Sequence, residues 1–339
     1  MTATHHVDGD GADNVGGPIA YAGEPGAFAE DAVLAAFPDA ERRAVPGFAE
    51  VFAAVVEGEA TRGVVPIENL VNGTVRETYD LLLRHDLEIV GEIVVPVRLC
   101  LAALSGQTID EIERVYSHIQ ALGQAEPFLR QHRWTLLTTY NTAGAGKLIV
   151  ERGERGAAAV LSPRAAAGLG LEILADGIEE VPDNRTRFLV LARPGAVARP
   201  SAAVPRDGAG SPDPAPAPPG DGAGTPDPGP TAPGDTAGSP GPAPAAGPQP
   251  RTRSRTTFVF GVRNEPGSLL VALGTFARRG LNLSKLESRP SRGAAWEYVF
   301  WADLDGSVNE PAIAEALAEL RTTSTMVRVL GSYPRAGEP

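Results

Sequence analysis

The chain has 339 residues, which is enough for two domains that each bury a core. Its 30 basic and 42 acidic residues give a net charge of -12 without a concentrated basic patch, so we expect no nucleic-acid partner. The single cysteine, Cys100, excludes an internal disulfide, and no CxxC or HExxH pattern predicts a metal site. Neither a signal peptide nor an apolar run of about 18 residues is present, so we expect a cytoplasmic protein without a membrane partner.

Residues 1–17 are polar and predict a disordered tail. The next segment, 18–193, alternates short apolar runs with helix-like runs, a rhythm typical of α/β folds. Its predicted strands are 19–21, 43–45, 63–66, 87–97, 114–117, 135–138, 157–160, 171–175 and 186–191.

Three local signals predict where helices of this segment begin or end. Thr74 and Glu77 are spaced as a capping box, and Pro163 after Ser162 marks a first helical position. Pro127 predicts a kink or an end in the helix that follows strand 114–117.

The predicted strand 87–97 is too long for one ordinary strand, so we interpret it as a crossing from one lobe to another. A return near 174–180 places strand 186–191 back in the first sheet. Two α/β lobes joined by two crossings leave a cleft between strand ends, where ligands usually bind. The predicted lobes comprise about 18–95 with 177–193, and 96–176.

The segment 194–255 predicts a disordered linker. Its part 200–250 holds 16 of the 31 prolines and 10 glycines, a composition that cannot bury a core. Residues 207–214 return as 221–228, a period of 14 residues. Because a structural repeat needs apolar residues to stack, we interpret this one as an extended linker.

The segment 256–333 predicts a second folded domain, followed by a tail at 334–339. Its strands and helices alternate as βαββαβ, a ferredoxin-like arrangement with one exposed sheet face. The predicted strands are 257–262, 282–289, 295–304 and 325–330, and the helices are 267–279 and 310–320.

Four segments of the first domain place polar groups at predicted strand ends. They are YAGEPGAF (21–28), PIEN (66–69), YSHIQALGQ (116–124) and DNRTRF (183–188). In the third segment, Ser117, Gln120 and Gln124 are spaced to share one helical face, although Ser117 is equally a simple N-cap. In the fourth, Thr186 opens an apolar strand between two arginines, which is unusual for a core strand and favours a site.

These segments resemble the signature segments of one enzyme family, the prephenate dehydratases. YAGEPGAF, PIEN, YSHIQ (116–120) and TRF (186–188) resemble four of its motifs in order. The second domain resembles an ACT regulatory domain, with GSLL (267–270) and ESRP (287–290) at the two motifs associated with phenylalanine. The resemblance covers about 18–193 and 256–331, and Ile119 departs from it where the family usually has proline.

The resemblance implies a two-lobed catalytic domain, like a type II periplasmic binding protein, together with a ferredoxin-like ACT domain. It also implies the decarboxylation and dehydration of prephenate to phenylpyruvate without a cofactor, with phenylalanine as effector and a homodimer or homotetramer as assembly. Thr186 is the implied catalytic residue. The implied substrate-binding residues are Asn69, Ser117, Gln124, Glu68, Arg187 and Phe188. The implied effector-binding residues are Asn264, Gly267, Ser268, Leu269, Leu270, Glu287, Ser288, Arg289 and Pro290.

Anion binding is a separate expectation, since the substrate carries two carboxylates. The helix N-termini that follow Gly26 and Ser117 offer free N–H groups, and Arg187 offers a guanidinium. Arginines on both sides of Thr186 cannot share its direction from a regular strand, because side chains alternate between the two faces.

Two alternatives remain open at this point. Arogenate dehydratase would use the same pocket for a substrate with an amino group in place of the keto oxygen. A non-catalytic, two-lobed amino-acid sensor is a different class, which the hydroxyl of Thr186 and the pocket amides disfavour.

Overall fold

The computed structural model describes residues 16–196, 254–290 and 298–336. The predicted 14-residue repeat lies outside the described residues, as do most of the N-terminal tail and residues 337–339. Within the described part of the chain, no helix is long and apolar enough to cross a membrane.

The first domain has the predicted alternation of strands and helices. Its strands are β1 (Ile19–Ala22), β2 (Arg42–Val45), β3 (Arg62–Asn69), β4 (Gly73–Thr74), β5 (Glu88–Pro96), β6 (Cys100–Ala103), β7 (Arg114–Ser117), β8 (Thr135–Thr138), β9 (Ala157–Leu161), β10 (Glu172–Asp176) and β11 (Arg185–Ala192). Its helices are α1 (Phe28–Ala36), α2 (Phe48–Val56), α3 (Arg76–Arg84), α4 (Ile119–Gln124), α5 (Glu126–Leu129), α6 (Thr142–Arg152) and α7 (Pro163–Gly168).

Two sheets form the two predicted lobes. The first has the order β2-β1-β3-β11-β5, with β4 paired to β3, and the second has the order β10-β6-β9-β7-β8. Both contain parallel and antiparallel pairs. In the first, β11 runs antiparallel to β3 and β5 while β1 runs parallel to its neighbours. In the second, β6 runs antiparallel to β9 and β10 while β7 runs parallel to β8 and β9. The chain crosses to the second sheet after β5 and returns between β10 and β11, so the two crossings are confirmed.

The interpretation of 87–97 as a segment too long for one strand, and therefore as the crossing itself, is wrong. The segment forms one strand of nine residues, because antiparallel β11 pairs with it from end to end. The crossing falls between Pro96 and Cys100, where β6 begins. The sequence did not predict β6, since its four residues are all buried and therefore show no alternation of apolar and polar side chains.

Of the predicted helix signals, those at Ser162 and Pro127 are confirmed and the one at Thr74 is wrong. Ser162 caps α7, where its hydroxyl accepts from the Ala165 amide, and the helix breaks at Ala125 before Pro127 as predicted. The capping box at Thr74 is wrong, because Thr74 is the last residue of β4 and its hydroxyl donates to Glu287 at 2.6 Å.

The second domain confirms the predicted βαββαβ order. Its elements are β12 (Ser254–Gly261), α8 (Ser268–Ala277), β13 (Leu283–Pro290), β14 (Tyr298–Asp305), α9 (Pro311–Thr323) and β15 (Met326–Pro334). The strands pair antiparallel in the order β13-β14-β12-β15. The helices cover one face of this sheet, where Phe258, Phe260 and Phe276 form the centre of the core.

The other face of this sheet is not exposed, as the sequence had suggested, but packs on the first lobe. Val259, Trp301 and Tyr333 share one buried cluster with residues of the first lobe, including Tyr79. The Trp301 and Tyr79 rings meet edge to face with centroids 4.6 Å apart. The sheet of the second domain thus carries apolar side chains on both of its faces. Burial of the second face against the first lobe stabilises both domains.

Backbones also approach closely at this interface. A Cβ added at Gly331 of β15 would lie 2.0 Å from the carbonyl oxygen of Ile89 in β5. Only glycine allows this approach, so the position of the second domain on β5 depends on that residue.

Candidate active site

The end of β3 and the start of β11 bring three polar side chains together. Asn69 and Thr186 are direct partners in the register of the two strands. The Asn69 side-chain Nδ2 donates within a group of three acceptors, the Asn184 side-chain oxygen at 2.9 Å, the Thr186 hydroxyl at 3.0 Å and the Arg185 carbonyl at 3.1 Å. Asn69 is 8% exposed and Thr186 is 9% exposed, so these bonds form in a largely water-free environment.

The direction of these hydrogen bonds determines what Thr186 can do. Because its oxygen accepts from Asn69, its own proton is directed elsewhere, and none of the described residues accepts it. A hydrogen bond received by the oxygen also stabilises negative charge there and so makes the hydroxyl a better donor. The arrangement presents a hydrogen-bond donor at a strand end of the first lobe.

Glu68 and Arg187 lie on the opposite face of the same two strands. The Arg187 guanidinium pairs with Glu68 and Glu92 at 3.1 Å each and with Asp303 of the second domain at 2.8 Å. Burial opposes its charge, but Asp303 and the other anionic neighbours outweigh burial and raise the pKa of Arg187 above its ordinary value. Arg187 is thus a fixed cation at the domain interface, and the structure does not bring it together with Thr186.

Phe188 is part of the core rather than the site. Its side chain is buried with those of Tyr21 and Val95 on the face that α1 covers. Thr186 and Phe188 therefore share one face, and the alternation of β11 explains why Arg187 points to the other.

The second lobe contributes Ser117 and Gln124, at the ends of β7 and α4. Ser117 is a strand residue whose buried hydroxyl donates to the Val160 carbonyl at 2.5 Å, so it does not share a helical face with Gln124. It does not cap α4 either, because His118 is the N-cap and its Nδ1 accepts from the Gln120 amide at 3.3 Å. The Gln124 side chain is half-buried. Its backbone carbonyl accepts from the Glu180 backbone N–H at 2.8 Å, which connects α4 to the segment that leads into β11.

The two lobes contact each other at the turn before α1. Gly26 has a φ of +96°, and a Cβ there would lie 2.8 Å from Cβ and 2.9 Å from Cα of Ala165 in α7. The Gly26 carbonyl accepts from the Ser162 hydroxyl at 3.2 Å. Glycine at this position therefore permits both the left-handed turn and the close contact between lobes.

The expected anion site at this turn is occupied by the chain itself. The Gly26 N–H donates to the Glu30 carboxylate at 2.7 Å. Burial raises the pKa of Glu30, but this bond and the Arg164 guanidinium outweigh burial and lower it below its ordinary value. Across the lobes, Glu24 pairs with Lys147 and accepts from the Tyr140 hydroxyl, each at 3.0 Å.

The residues of the predicted effector motifs divide into two groups. Gly267 has a φ of +88° and precedes α8, on which Leu270 is 75% exposed. Glu287 and Arg289 instead face the first lobe, where Glu287 accepts from Thr74 and Arg289 lies over the Tyr79 ring at 5.6 Å. The second motif thus contacts the first domain directly.

The remaining predicted effector residues lie beside these. Asn264, Ser288 and Pro290 are exposed, while Ser268 and Leu269 at the start of α8 are half-buried.

One residue of the site was missed from the sequence. Asn184 is 1% exposed, and its Oδ1 is bound to Asn69. Its place in the segment DNRTRF, two residues before Thr186, is the one sequence signal that points to it, and its burial is visible only in the fold. Among the described residues, no group of three or more His, Cys, Asp and Glu side chains is arranged to hold a metal ion.

Comparison with known proteins gives concordant matches. The family model of prephenate dehydratase matches residues 19–196, and that of the ACT domain matches residues 256–322. Arogenate dehydratase/prephenate dehydratase 2 of Arabidopsis thaliana is 35% identical over 325 residues, which cover 93% of this chain and 72% of that protein.

Two solved structures match with a TM-score of 0.72 each. One is a prephenate dehydratase in complex with L-Phe from Arthrobacter aurescens, 29% identical, covering 94% of this chain and 90% of that one. The other is described as GqqA, a novel type of quorum quenching acylases, 30% identical, covering 94% of this chain and 98% of that one.

Proposed function

The chain belongs to the prephenate dehydratase family, and on this premise we propose that Thr186 donates the hydrogen bond that releases the hydroxyl group of prephenate. In the reaction the ring carboxylate leaves as carbon dioxide, its bonding electrons move into the ring, and the C4 hydroxyl departs. Prephenate dianion and one proton thereby give phenylpyruvate, carbon dioxide and water. Aromatisation of the ring drives the reaction.

The observation that carries this proposal is the hydrogen bond from Asn69 to the Thr186 oxygen, 3.0 Å long. It leaves the threonine proton to donate to the departing oxygen, on which negative charge develops. Threonine is too weak an acid to give up its proton at neutral pH, so it stabilises the leaving group as a donor. The proton that completes the water molecule comes from solvent.

Donation of this kind contributes about 10²–10⁴-fold to a rate, whereas enzymes reach about 10⁶-fold or more. The remainder comes from holding the substrate ring and carboxylates in one geometry. We assign that part to Ser117 and Gln124 at the strand and helix ends of the second lobe, while Asn69, whose amide is engaged within the chain, orients Thr186. The buried, ion-paired state of Arg187 supports a role at the domain interface rather than in the pocket.

Phenylalanine is the proposed effector of the second domain. An ACT domain and a related structure in complex with L-Phe support this assignment. The left-handed Gly267 leaves open space where a Cβ would stand, in front of the first N–H groups of α8, and a carboxylate is the natural ligand there. The aromatic ring of phenylalanine needs apolar side chains around it, and Leu270 is exposed beside Gly267. This supports a homodimer or homotetramer in which a second copy covers the ring and Leu270 together.

We also propose a cytoplasmic location. Cys100 is buried, and burial raises the pKa of its thiol to about 12, so it remains a reduced, unreactive thiol. A reducing compartment agrees with such a cysteine.

The activity is tested by offering the purified protein prephenate and arogenate in parallel. Phenylpyruvate or phenylalanine is measured directly, with an acylated quorum-sensing signal as a third substrate because one similar structure is described as a quorum quenching acylase. We expect turnover of prephenate that falls when phenylalanine is added. Turnover of the acylated signal alone would contradict the proposal, and a preference for arogenate would change the substrate but not the chemistry.

The effector site is tested by calorimetric titration of phenylalanine into the wild type and Gly267→Val. We expect the variant to lose binding, because valine is strained at this φ and fills the space before α8. Unchanged binding by the variant would place the effector elsewhere.

A further inference from the structure

Asn184 carries a buried donor without a partner. Its side chain is 1% exposed, and its Nδ2 makes no hydrogen bond with any of the described residues. A buried donor left unpaired costs about 1–3 kcal/mol, so such groups are rare and call for an explanation.

The orientation of this amide follows from its neighbours. Asn69 Oδ1 accepts from the backbone N–H groups of Val71 at 3.1 Å and Asn72 at 2.8 Å, which directs Asn69 Nδ2 toward Asn184 and Thr186. Asn69 Nδ2 is a donor, so the atom of Asn184 that lies 2.9 Å from it must be the oxygen. Turning the Asn184 amide over would set two donors against each other, and Nδ2 is therefore the free group.

The backbone holds Asn184 in this place. Its N–H donates to the Val181 carbonyl at 3.1 Å, and its carbonyl accepts from Val97 at 2.8 Å. These bonds fix the backbone of Asn184 between the first crossing and the start of β11, and rotation of its side chain would give up the hydrogen bond from Asn69.

We propose that Asn184 is a second hydrogen-bond donor to the substrate oxygen that Thr186 serves. One amide, Asn69 Nδ2, bonds to the side-chain oxygens of both residues, so Asn184 and Thr186 belong to one hydrogen-bond network. Two donors aimed at one oxygen stabilise the negative charge that develops when the hydroxyl leaves, and they act strongly because they are already out of water. The inference rests on the proposed function and adds a residue to its site.

The test compares Asn184→Asp and Asn184→Ala with the wild type. The first keeps an acceptor for Asn69 and removes the free donor, while the second removes both. We expect kcat on prephenate to fall about 10²-fold in Asn184→Asp, with a small change in KM, since loss of one such donor typically costs this much. Asp183→Asn is the matched control, because that neighbouring side chain is 90% exposed and should leave kcat unchanged.

A pH profile separates donation from a merely structural role. When the pH falls, protonation of the introduced carboxyl restores an O–H donor, so kcat of Asn184→Asp should recover partly relative to the wild type. Thermal unfolding of each variant without substrate should occur within a few degrees of the wild type.

Three results would overturn the proposal. These are kcat of Asn184→Asp within threefold of the wild type, a loss without any recovery at low pH, or a loss that parallels unfolding in both variants. If the wild type and Asp183→Asn also fail to turn over prephenate, the proposed function itself fails instead.

Discussion

The ion pair between Arg187 and Asp303 joins the strand of Thr186 to the ACT domain, and its removal tests how the two domains are coupled. The Arg187 side chain is 13% exposed and that of Asp303 is 6% exposed. Losing one partner of a buried pair costs about 3–5 kcal/mol. Arg187 keeps Glu68 and Glu92 when Asp303 is replaced, so for Asp303→Asn we expect the lower part of that range or less, about 1–3 kcal/mol.

The assay is a double-mutant cycle with Asp303→Asn and Arg187→Met, followed by thermal unfolding and by inhibition with phenylalanine. We expect a coupling energy of about 0.5–3 kcal/mol. Asp303→Asn should still bind phenylalanine but require more of it for half inhibition, because β14 pairs with the strand of Glu287 and contacts Arg187 through Asp303. Asp305→Asn on the same strand is the control. Additive energies together with unchanged inhibition would refute this coupling.

Three further predictions concern single residues. Gly26→Ala should destabilise the protein by about 1–3 kcal/mol through its contact with Ala165, whereas Gly168→Ala, where a Cβ meets open space, should not; calorimetry compares them. Burial lowers the pKa of His118, so its unfolded form binds the proton more readily and stability falls as the pH drops below about 6.5. His118→Asn keeps the helix cap and should flatten the dependence of Tm on pH between about 5 and 7, and an unchanged slope would contradict this. Cys100 should resist iodoacetamide until the protein unfolds, and rapid labelling of the folded protein would show that its thiol is accessible.

Much of the fold could be predicted because the signals were local. Strands bounded by turn residues, Pro163 at a first helical position and Pro127 at a helix break all act within a few residues of the chain. The strand β6 escaped prediction because a fully buried run has no periodicity, and the length of β5 was misread because its partner β11 is about 90 residues away in sequence.

For the candidate site, the sequence predicts residue types, and the structure shows which of them lie together. Motifs identified Asn69 and Thr186, which the register of β3 and β11 then places side by side. The ion pair of Arg187 with Asp303 could not be predicted from the sequence, because the two residues lie in different domains. Asn184 was missed for a similar reason, since burial of a loop amide depends on contacts that form only in the folded chain.

The central claim is that the Thr186 hydroxyl, oriented by Asn69, donates to the departing oxygen of prephenate. The most direct measurement is kcat for phenylpyruvate formation by Thr186→Val and Thr186→Ser, with thermal unfolding as a check on folding. Valine keeps the shape and removes the donor, so we expect kcat to fall about 10²–10⁴-fold, whereas serine should retain most of it. A valine variant that folds and turns over prephenate at nearly the wild-type rate would contradict the account.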